Sequence, residues 1–360
     1  MGASTSQRKK TLTFRRKTPK KESLCLTPTS KQAIQNRRKL RVIGENIMAR
    51  DIPHIDLRDF QNDDLARRKA FVQTLGDGLK EFGFLTVEGH GIEKNTIQDA
   101  YKGFQDFFAL DEETKKKYDS VAGGARGYTP FGREHAKDSE YPDLKEFWHV
   151  GQEVPEGHEL KEWYPDNVWP EEIPALKDKA LTLYRSLENC GEIILKALAE
   201  YFELPEDTFA SMMKYGDSIL RPIHYPPIPE GHPNSVRAAA HEDINLITLL
   251  VESHGSGLEV LTHEGNWLAI DALEGDIVVD SGDMFSRITN NVIPATTHRV
   301  INTPDAHLKS RYSMPFFIHP YATCDLSVKE RFITDEQPAK FPPITARAFL
   351  EERLREIGLK

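Results

Sequence analysis

His241-Glu242-Asp243-Ile244-Asn245-Leu246-Ile247-Thr248 is the stretch that decides how this chain reads, because of the residues spaced downstream of it. His298 lies 55 residues past Asp243, and Arg311 lies 13 residues past His298, with Ser313 close behind. Two histidines and one carboxylate make the facial set that binds mononuclear non-haem Fe(II), leaving three coordination positions open for substrate and O2. In a strand, residues i and i+2 share a face, so His241 and Asp243 can address one metal while Glu242 points away. The third ligand then comes from a distant strand lying opposite. The interval to Arg311 leaves room for a turn and one antiparallel strand, on which Arg311 and Ser313 again share a face. A guanidinium grips a carboxylate bidentately, and a hydroxyl adds one more hydrogen bond. Together these residues describe an oxidation site with a carboxylate clamp. A structural zinc site is the competing reading, but structural zinc is closed by four protein ligands.

Around this stretch the chain breaks into short strands near 218–225, 237–243, 246–251, 257–261, 267–271, 276–280, 283–287, 296–301 and 311–318. Gly255, Gly257, Gly265, Gly275 and Gly282 punctuate them. Many short strands at this spacing predict a sandwich or jelly roll. Upstream, 52–57 and 83–88 read as strands. Residues 65–82 read as a helix with Val72, Leu75, Leu79 and Phe82 on one face. Asn95 can cap a helix carrying Ile97, Tyr101, Phe104 and Phe108. Residues 111–145 are polar and loop-rich, 147–150 is a short strand, and 173–202 is a long helix with Pro174 in its first turn. Residues 345–357 read as an amphipathic helix stopped by Gly358. The expected fold class is mixed α/β, of the α+β kind: a double-stranded β-helix (jelly-roll, cupin-like) core flanked by helices. A single domain over 48–360 is expected, with a helix-rich part at 48–210, a jelly-roll catalytic core at 211–330 and a C-terminal helix within 331–360.

Charge divides the chain. Residues 1–47 carry 13 Lys/Arg and two Glu, whereas the remainder holds 34 Lys/Arg against 54 Asp/Glu. The arm has few large apolar residues and is expected to be mostly disordered. Met1-Gly2-Ala3-Ser4-Thr5-Ser6 fits a myristoylation pattern, with the basic clusters as a second membrane signal. The acid-poor composition also fits a transit peptide, and a basic tail suits nucleic acid. The plainer reading is preferred. Met48-Ala49-Arg50-Asp51-Ile52 makes a natural start just before the first strand, with the arm as upstream sequence or a spacer. An acidic body is a poor partner for nucleic acid, and no apolar run reaches membrane-spanning length. Neither nucleic-acid binding nor stable membrane association is expected. Cys25, Cys190 and Cys324 show no paired spacing, which favours a reducing, cytoplasmic compartment over a disulfide framework. A monomer is expected.

With these motifs in place, residues 52–330 resemble the isopenicillin N synthase-like family of the 2-oxoglutarate/Fe(II)-dependent dioxygenase superfamily. The carriers begin with Phe82-Gly83-Phe84, His90-Gly91, and Leu220-Arg221 with Tyr225-Pro226-Pro227. They continue through the 241–248 stretch, Gly257-Leu258-Glu259-Val260, Gly282-Asp283-Met284 and Thr289-Asn290-Asn291 to His298-Arg299-Val300 and 311–317. The resemblance implies Fe(II) at one mouth of the barrel, held by His241, Asp243 and His298. It implies that Tyr225, Arg311 and Ser313 hold the carboxylate of 2-oxoglutarate, or of substrate where no 2-oxoglutarate is used. It further implies O2 as oxidant and a C–H bond of a small molecule as its target, by hydroxylation, desaturation or ring closure. Two departures stand out. Many plant members have Asn-Tyr ahead of the Tyr-Pro-Pro stretch, where this chain has Ile223-His224. Isopenicillin N synthase itself works without 2-oxoglutarate, and its resting iron takes a Gln from near the C-terminus. Here the last Gln is Gln337 and the closing helix has none, which argues against that four-electron oxidase mode. A non-catalytic carboxylate-binding jelly roll is the remaining alternative, and an intact triad with open positions argues against it.

Substrate candidates are fewer. Phe147 and His149 sit on a strand that, in relatives, lines the barrel mouth. Gly123-Gly124-Ala125-Arg126-Gly127-Tyr128 lacks the Lys-Ser/Thr and strand–helix context of a phosphate loop. It reads instead as a loop over the site, offering Arg126, Tyr128 and Arg133. His54-Ile55-Asp56 repeats His-x-Asp without a matching Arg-x-Ser and reads as a structural strand. Asn290-Asn291 reads as turn chemistry. An enclosed mouth suits a small-molecule substrate better than a macromolecule.

Overall fold

Residues 1–50 and 51–360 form two separate units in the computed structural model. The described residues are 52–119, 125–133, 143–228, 236–254, 257–270, 275–304 and 306–356. The expectations for the 1–47 arm and Cys25, and the parts played by Gly123, Gly124, Gly255 and Gly358, lie outside them. Every described element belongs to the second unit.

Its strands are β1 His54–Asp56, β2 Phe84–Glu88, β3 Gly127–Thr129, β4 Glu146–Gly151, β5 Ile219–Leu220, β6 Ile223–Tyr225, β7 Ala238–His241, β8 Ile247–His254, β9 Leu258–Leu261, β10 Trp267–Ala269, β11 Ile277–Ser281, β12 His298–Val300 and β13 Arg311–Ile318. They form two sheets. The larger, nine-stranded one runs β1-β2-β11-β8-β13-β5-β4-β3, with β6 bridging β13 and β4. The smaller runs β10-β9-β12-β7. Pairing is antiparallel except between β1 and β2. This is the jelly-roll core that the strand spacing predicts.

Register sorts the large sheet into two faces, because cross-strand partners share a face and neighbours along a strand alternate. Leu249 pairs with Phe316 and Val279, and Val251 with Met314 and Ile277. These fully buried side chains belong to the main core beneath the helices. The opposite face presents Phe84, Val278 and Leu250, which pack with Val260 and Leu258 of the small sheet. Leu250 pairs with Pro315, so Arg311, Ser313 and Phe317 on the same strand also look into the space between the sheets. Truncating Leu249 to Ala would cost about 2–5 kcal/mol, the usual range for a closely packed core.

The helices are α1 Leu65–Phe82, α2 Lys94–Phe108, α3 Glu112–Lys116, α4 Leu176–Tyr201, α5 Asp207–Met213, α6 Asp283–Ile288 and α7 Ala346–Glu356. Helix α1 matches its predicted bounds. Asp64 caps it by accepting from the Ala66 and Arg67 amides, and Gly83 ends it at φ 65°. In α4, Gly191 lets the helix sit directly on β13, since a Cβ there would fall 2.0 Å from Ile318 Cδ1.

Four expectations need correction. Residues 283–287 form helix α6 rather than a strand. Met284, Phe285, Ser286, Arg287 and Ile288 are all buried, so no alternation distinguishes the two periods. Asn95 lies inside the first turn of α2, whose N-cap is Glu93. Helix α4 starts at Leu176, leaving Pro174 outside it. The short helix α3 lies in the segment read as loop-rich, and α5 has no counterpart among the expected elements. Asn290 and Asn291 do take left-handed turn conformations, at φ 55° and 63°.

Candidate active site

The metal-ligand candidates converge where β7 and β12 run side by side. His241 ends β7, His298 opens β12, and the two are register partners. The third element is therefore an adjacent antiparallel strand, closer than the opposite strand anticipated. Asp243 lies just past the end of β7, in the turn towards β8, so the turn rather than strand alternation brings it round. Glu242 does point away, its Oε1 accepting from the Thr297 hydroxyl at 2.9 Å. His241, Asp243 and His298 form the single such cluster among the described residues, each offering a ligand atom within 4.8 Å of the others. Both Nε2 atoms lie 3.8 Å from Asp243 Oδ1.

Each ligand is oriented from behind. His241 Nδ1 donates to the Ala239 carbonyl at 2.7 Å, and His298 Nδ1 to the Thr296 carbonyl at 3.1 Å. Those bonds assign the proton to Nδ1 and leave each Nε2 lone pair turned towards Asp243, as metal ligation requires. Phe84 holds the His298 ring edge-on, with centroids 5.5 Å apart. Asp243 Oδ2 accepts from the Thr248 hydroxyl, which in turn accepts from Asn245 Nδ2. The turn is pinned to α6: the Asp283 amide donates to the Asp243 carbonyl at 2.8 Å, and the Gly282 amide to the Leu246 carbonyl. A Cβ on Gly282 would fall 2.4 Å from Asn245 Oδ1 and 2.8 Å from the Asp243 carbonyl, so this approach needs glycine.

Electrostatics agree with this arrangement. Burial and the neighbouring His298 push the His241 pKa down to about 4, so the imidazole is neutral at pH 7. Burial alone would raise Asp243, but His298 and His241 outweigh it and hold the carboxyl below its usual range. Asp280, on the adjacent inner face, is pushed well up by burial and by Asp243 beside it.

The clamp candidates meet on the large sheet. Arg311 pairs with Tyr225 and Ser313 with Ile223 across β13 and β6. Arg311 is 1% exposed, and its guanidinium lies 5.1 Å from the Tyr225 ring centre. Ile223, which departs from the plant pattern, packs with Tyr225 and Phe147 and makes this wall apolar. Gln337 donates its side-chain amide to the Asn290 carbonyl at 3.0 Å and is engaged there.

Phe147 and His149 lie on the same inner face, their rings 4.9 Å apart. Beside them stands a residue not singled out as a site candidate. Arg221 donates Nε to His149 Nε2 at 2.5 Å, and its guanidinium lies 4.7 Å from the Phe147 ring and 5.0 Å from the Phe317 ring. Its charge reaches Asp243. The motif Leu220-Arg221 carried the signal, but only the folded sheet brings it beside His149. Thr248, Asp280 and the buried Lys145, whose charge reaches His241, were likewise missed.

Three candidates are placed elsewhere. Arg126 packs against the Gly151 backbone and pairs with Asp217 at 3.6 Å. Tyr128 shares the face of Trp148, its hydroxyl bonded to Glu146 on the side away from the clamp. Arg133 is drawn outward to Asp119 at 2.5 Å. His54 bonds Thr86 and takes no part in the cluster.

The donor set fits Fe(II): two imidazoles and one carboxylate, with a buried guanidinium on the facing sheet for a carboxylate ligand. Residues 52–172 match the family described as non-haem dioxygenase in morphine synthesis N-terminal, and residues 212–320 match the 2OG-Fe(II) oxygenase superfamily. A solved structure of a Caulobacter crescentus protein assigned to the 2OG-Fe(II) oxygenase family is 43% identical, with a TM-score of 0.77, over 85% of this chain and 99% of that one. A full-length Neurospora crassa protein solved in complex with alpha-KG is 26% identical, with a TM-score of 0.76, over 86% of this chain and 98% of that one. The 2-oxoglutarate-Fe(II) type oxidoreductase ppzC of Metarhizium majus is 28% identical over 321 residues, 82% of this chain and 84% of the relative. No helix among the described residues is long and apolar enough to cross a membrane. The chain belongs to the 2OG-Fe(II) oxygenase superfamily, as a 2-oxoglutarate- and Fe(II)-dependent oxidoreductase of the dioxygenase type.

Proposed function

We propose that His241, Asp243 and His298 hold Fe(II), that Arg311, Ser313 and Tyr225 hold the distal carboxylate of 2-oxoglutarate, and that the wall of Phe147, His149, Arg221 and Phe317 receives a small, flat substrate bearing hydrogen-bond-accepting oxygens. The observation that carries this is the convergence of both Nε2 atoms on Asp243 Oδ1, with each Nδ1 proton tied to a backbone carbonyl. When bound, the metal would activate O2, the oxidant, with one oxygen atom taken up as 2-oxoglutarate is oxidised to succinate and CO2 and the other available for the substrate C–H bond. The chain's own part is positional. The three ligands fix the metal, Arg311 fixes the co-substrate through a two-point bond, and the apolar residues Ile223 and Phe147 keep water from the reacting C–H bond. Support for a flat substrate comes from the two rings flanking the Arg221 guanidinium. It also comes from the N. crassa protein, which has been solved with thymine and with 5-formyluracil. The names of the curated relatives favour 2-oxoglutarate use over the four-electron oxidase mode. The order of motifs supports placement in the isopenicillin N synthase-like group.

The test is anaerobic titration of 2-oxoglutarate into the Fe(II) protein, followed by a screen of carbonyl-bearing heterocycles for perturbation of the visible charge-transfer band. Admission of O2 should then yield one succinate per oxidised substrate. No band and no succinate would transfer the clamp to the substrate's own carboxylate. We further propose one catalytic domain over 48–360, acting as a cytoplasmic monomer; the described Cys190 and Cys324 are buried free thiols, as a reducing compartment favours. A chain beginning at Met48 should keep the full-length Tm and activity and run as a monomer in light scattering. A Tm loss of several degrees would show that the arm packs on the body.

A further inference from the structure

The face of β4, β6 and β13 turned away from the clamp carries a polar knot that the proposed chemistry leaves unused. Glu146 on β4 is 3% exposed. Lys115 Nζ reaches it at 2.8 Å, the Tyr128 hydroxyl donates to it, and His224 Nδ1 lies 2.7 Å from its Oε1. Lys115 and Tyr128 are themselves buried. Burial would raise the Glu146 carboxyl, but the bonds from His224, Lys115 and Tyr128 outweigh it and hold it ionised. Every partner is satisfied, so the knot is rigid rather than a buried liability.

His224 links that knot to the clamp. Its second nitrogen, Nε2, lies 2.9 Å from Ser310 Oγ, and its ring stacks on Tyr312 with centroids 4.6 Å apart and planes 10° apart. With Nδ1–H donating to Glu146, Nε2 accepts from the Ser310 hydroxyl. Glu146, His224 and Tyr312 are successive register partners across the three strands. His224 immediately precedes Tyr225, and Ser310 immediately precedes Arg311. One imidazole therefore joins the two clamp strands one residue behind each gripping side chain. Strand β6 is only three residues long, so its own main-chain pairing with β4 and β13 is slight.

We propose that His224 is a positioning residue for the carboxylate clamp: by bridging buried Glu146 to Ser310 on the opposite face of the strands, it sets the spacing of Tyr225 and Arg311 that grips 2-oxoglutarate. This rests on the reading of Arg311, Ser313 and Tyr225 as the 2-oxoglutarate clamp. It explains why a titratable ring sits where no chemistry occurs, and why both of its nitrogens are engaged.

The experiment uses the full chain. Fe(II) affinity is measured by calorimetry, and the 2-oxoglutarate Kd by anaerobic charge-transfer titration, in the wild type and in His224→Phe, His224→Asn, Ser310→Ala and Arg311→Ala. Phe keeps the stack on Tyr312 and removes both hydrogen bonds. The expected rise in 2-oxoglutarate Kd is about tenfold for His224→Phe and about threefold for Ser310→Ala, from losing two bonds and one. His224→Asn, which keeps a donor towards Glu146, should fall between. Fe(II) affinity should stay within twofold, which general loosening of the fold would not allow. Ser310 is exposed, so its variant folds even if the His224 variants do not. A 2-oxoglutarate Kd within twofold of wild type in Ser310→Ala and in whichever His224 variant folds would overturn the proposal, as would parallel loss of Fe(II) and 2-oxoglutarate affinity. An unchanged Kd in Arg311→Ala would instead remove the clamp reading itself.

Discussion

The two sheets that enclose the site hold their functional groups in different ways. The small sheet supplies both imidazoles, and each is oriented by a backbone carbonyl two residues back in the chain: Ala239 for His241 and Thr296 for His298. The large sheet carries the proposed clamp, and there the positions of Arg311 and Tyr225 depend on register across β4, β6 and β13. On the proposed assignment, metal ligation is mostly a local property of the chain, whereas co-substrate binding is a property of three strands at once. The former should fail when a ligand is removed and lose far less when a neighbour changes. The latter should degrade by degrees when neighbours change.

The largest effect tests the local half. Asp243→Ala and His298→Ala should each keep native circular dichroism and lose Fe(II) affinity by on the order of 100-fold or more, since even outer partners of metal ligands cost about 10–100-fold. Calorimetry reads this directly. Unchanged affinity in both would dissolve the metal site.

Next comes the clamp. Losing one partner of a buried charge-assisted pair costs about 2–5 kcal/mol. Arg311→Ala should therefore raise the apparent KM for 2-oxoglutarate by roughly 30-fold or more, since each ~1.4 kcal/mol is tenfold. Arg311→Lys should recover only part of this, because an ammonium lacks the bidentate fork. Fe(II) affinity should change little in either. If Arg311→Ala cost as much metal affinity as Asp243→Ala, the division between the two walls would be false.

Thr248→Val probes a place where the large sheet touches the proposed metal site. The hydroxyl, on β8, donates to Asp243 Oδ2 and leaves Oδ1 to face the imidazoles. Valine keeps the volume and removes the donor. The expected loss of Fe(II) affinity is about tenfold, the lower end for an outer-shell partner. Loss of less than twofold would mean that the turn pinned to α6 is sufficient to aim the carboxylate.

The same contrast explains what could be read in the sequence. The triad's membership was legible from residue types and order, but not its geometry: a turn brings Asp243 round, and His298 lies on the adjacent strand. Arg311 and Ser313 were legible as a strand pair because they lie two apart within β13. The jelly-roll core followed from the rhythm of short strands and glycines, and α1 from its apolar face and caps. Arg221 was not legible, because its place beside His149 arises only when β4 and β5 pair. Tyr128 and Arg126 went astray for the converse reason: a Gly-rich stretch resembles a loop over a site until β3 pairs with β4 and turns Tyr128 towards Glu146. Helix α6 hid because all five residues from Met284 to Ile288 are buried, so neither period shows.

The smallest expected effect concerns Arg299, which stands next to His298 in sequence but on the other side of β12. Its guanidinium bonds Glu259 on β9 at 2.8 Å and lies 3.8 Å over the Trp267 ring on β10, so it straps the outside of the small sheet. Its side chain is 34% exposed, where ion pairs contribute about 0–1 kcal/mol and a cation over an aromatic ring about 0.5–1 kcal/mol. Arg299→Ala should therefore lower stability to urea by roughly 1 kcal/mol. Part of that loss should disappear in 1 M salt, which weakens surface ion pairs. Fe(II) affinity should not move, because the His298 ring is aimed from within by the Thr296 carbonyl and by Phe84. That last expectation is the sharper one. Arg299 is part of the His298-Arg299-Val300 motif, and a reading by motif alone would assign it to the site. A fall in Fe(II) affinity beyond twofold would show that the outer strap sets the position of β12, and that the small sheet aims its ligands by packing across strands just as the large sheet does.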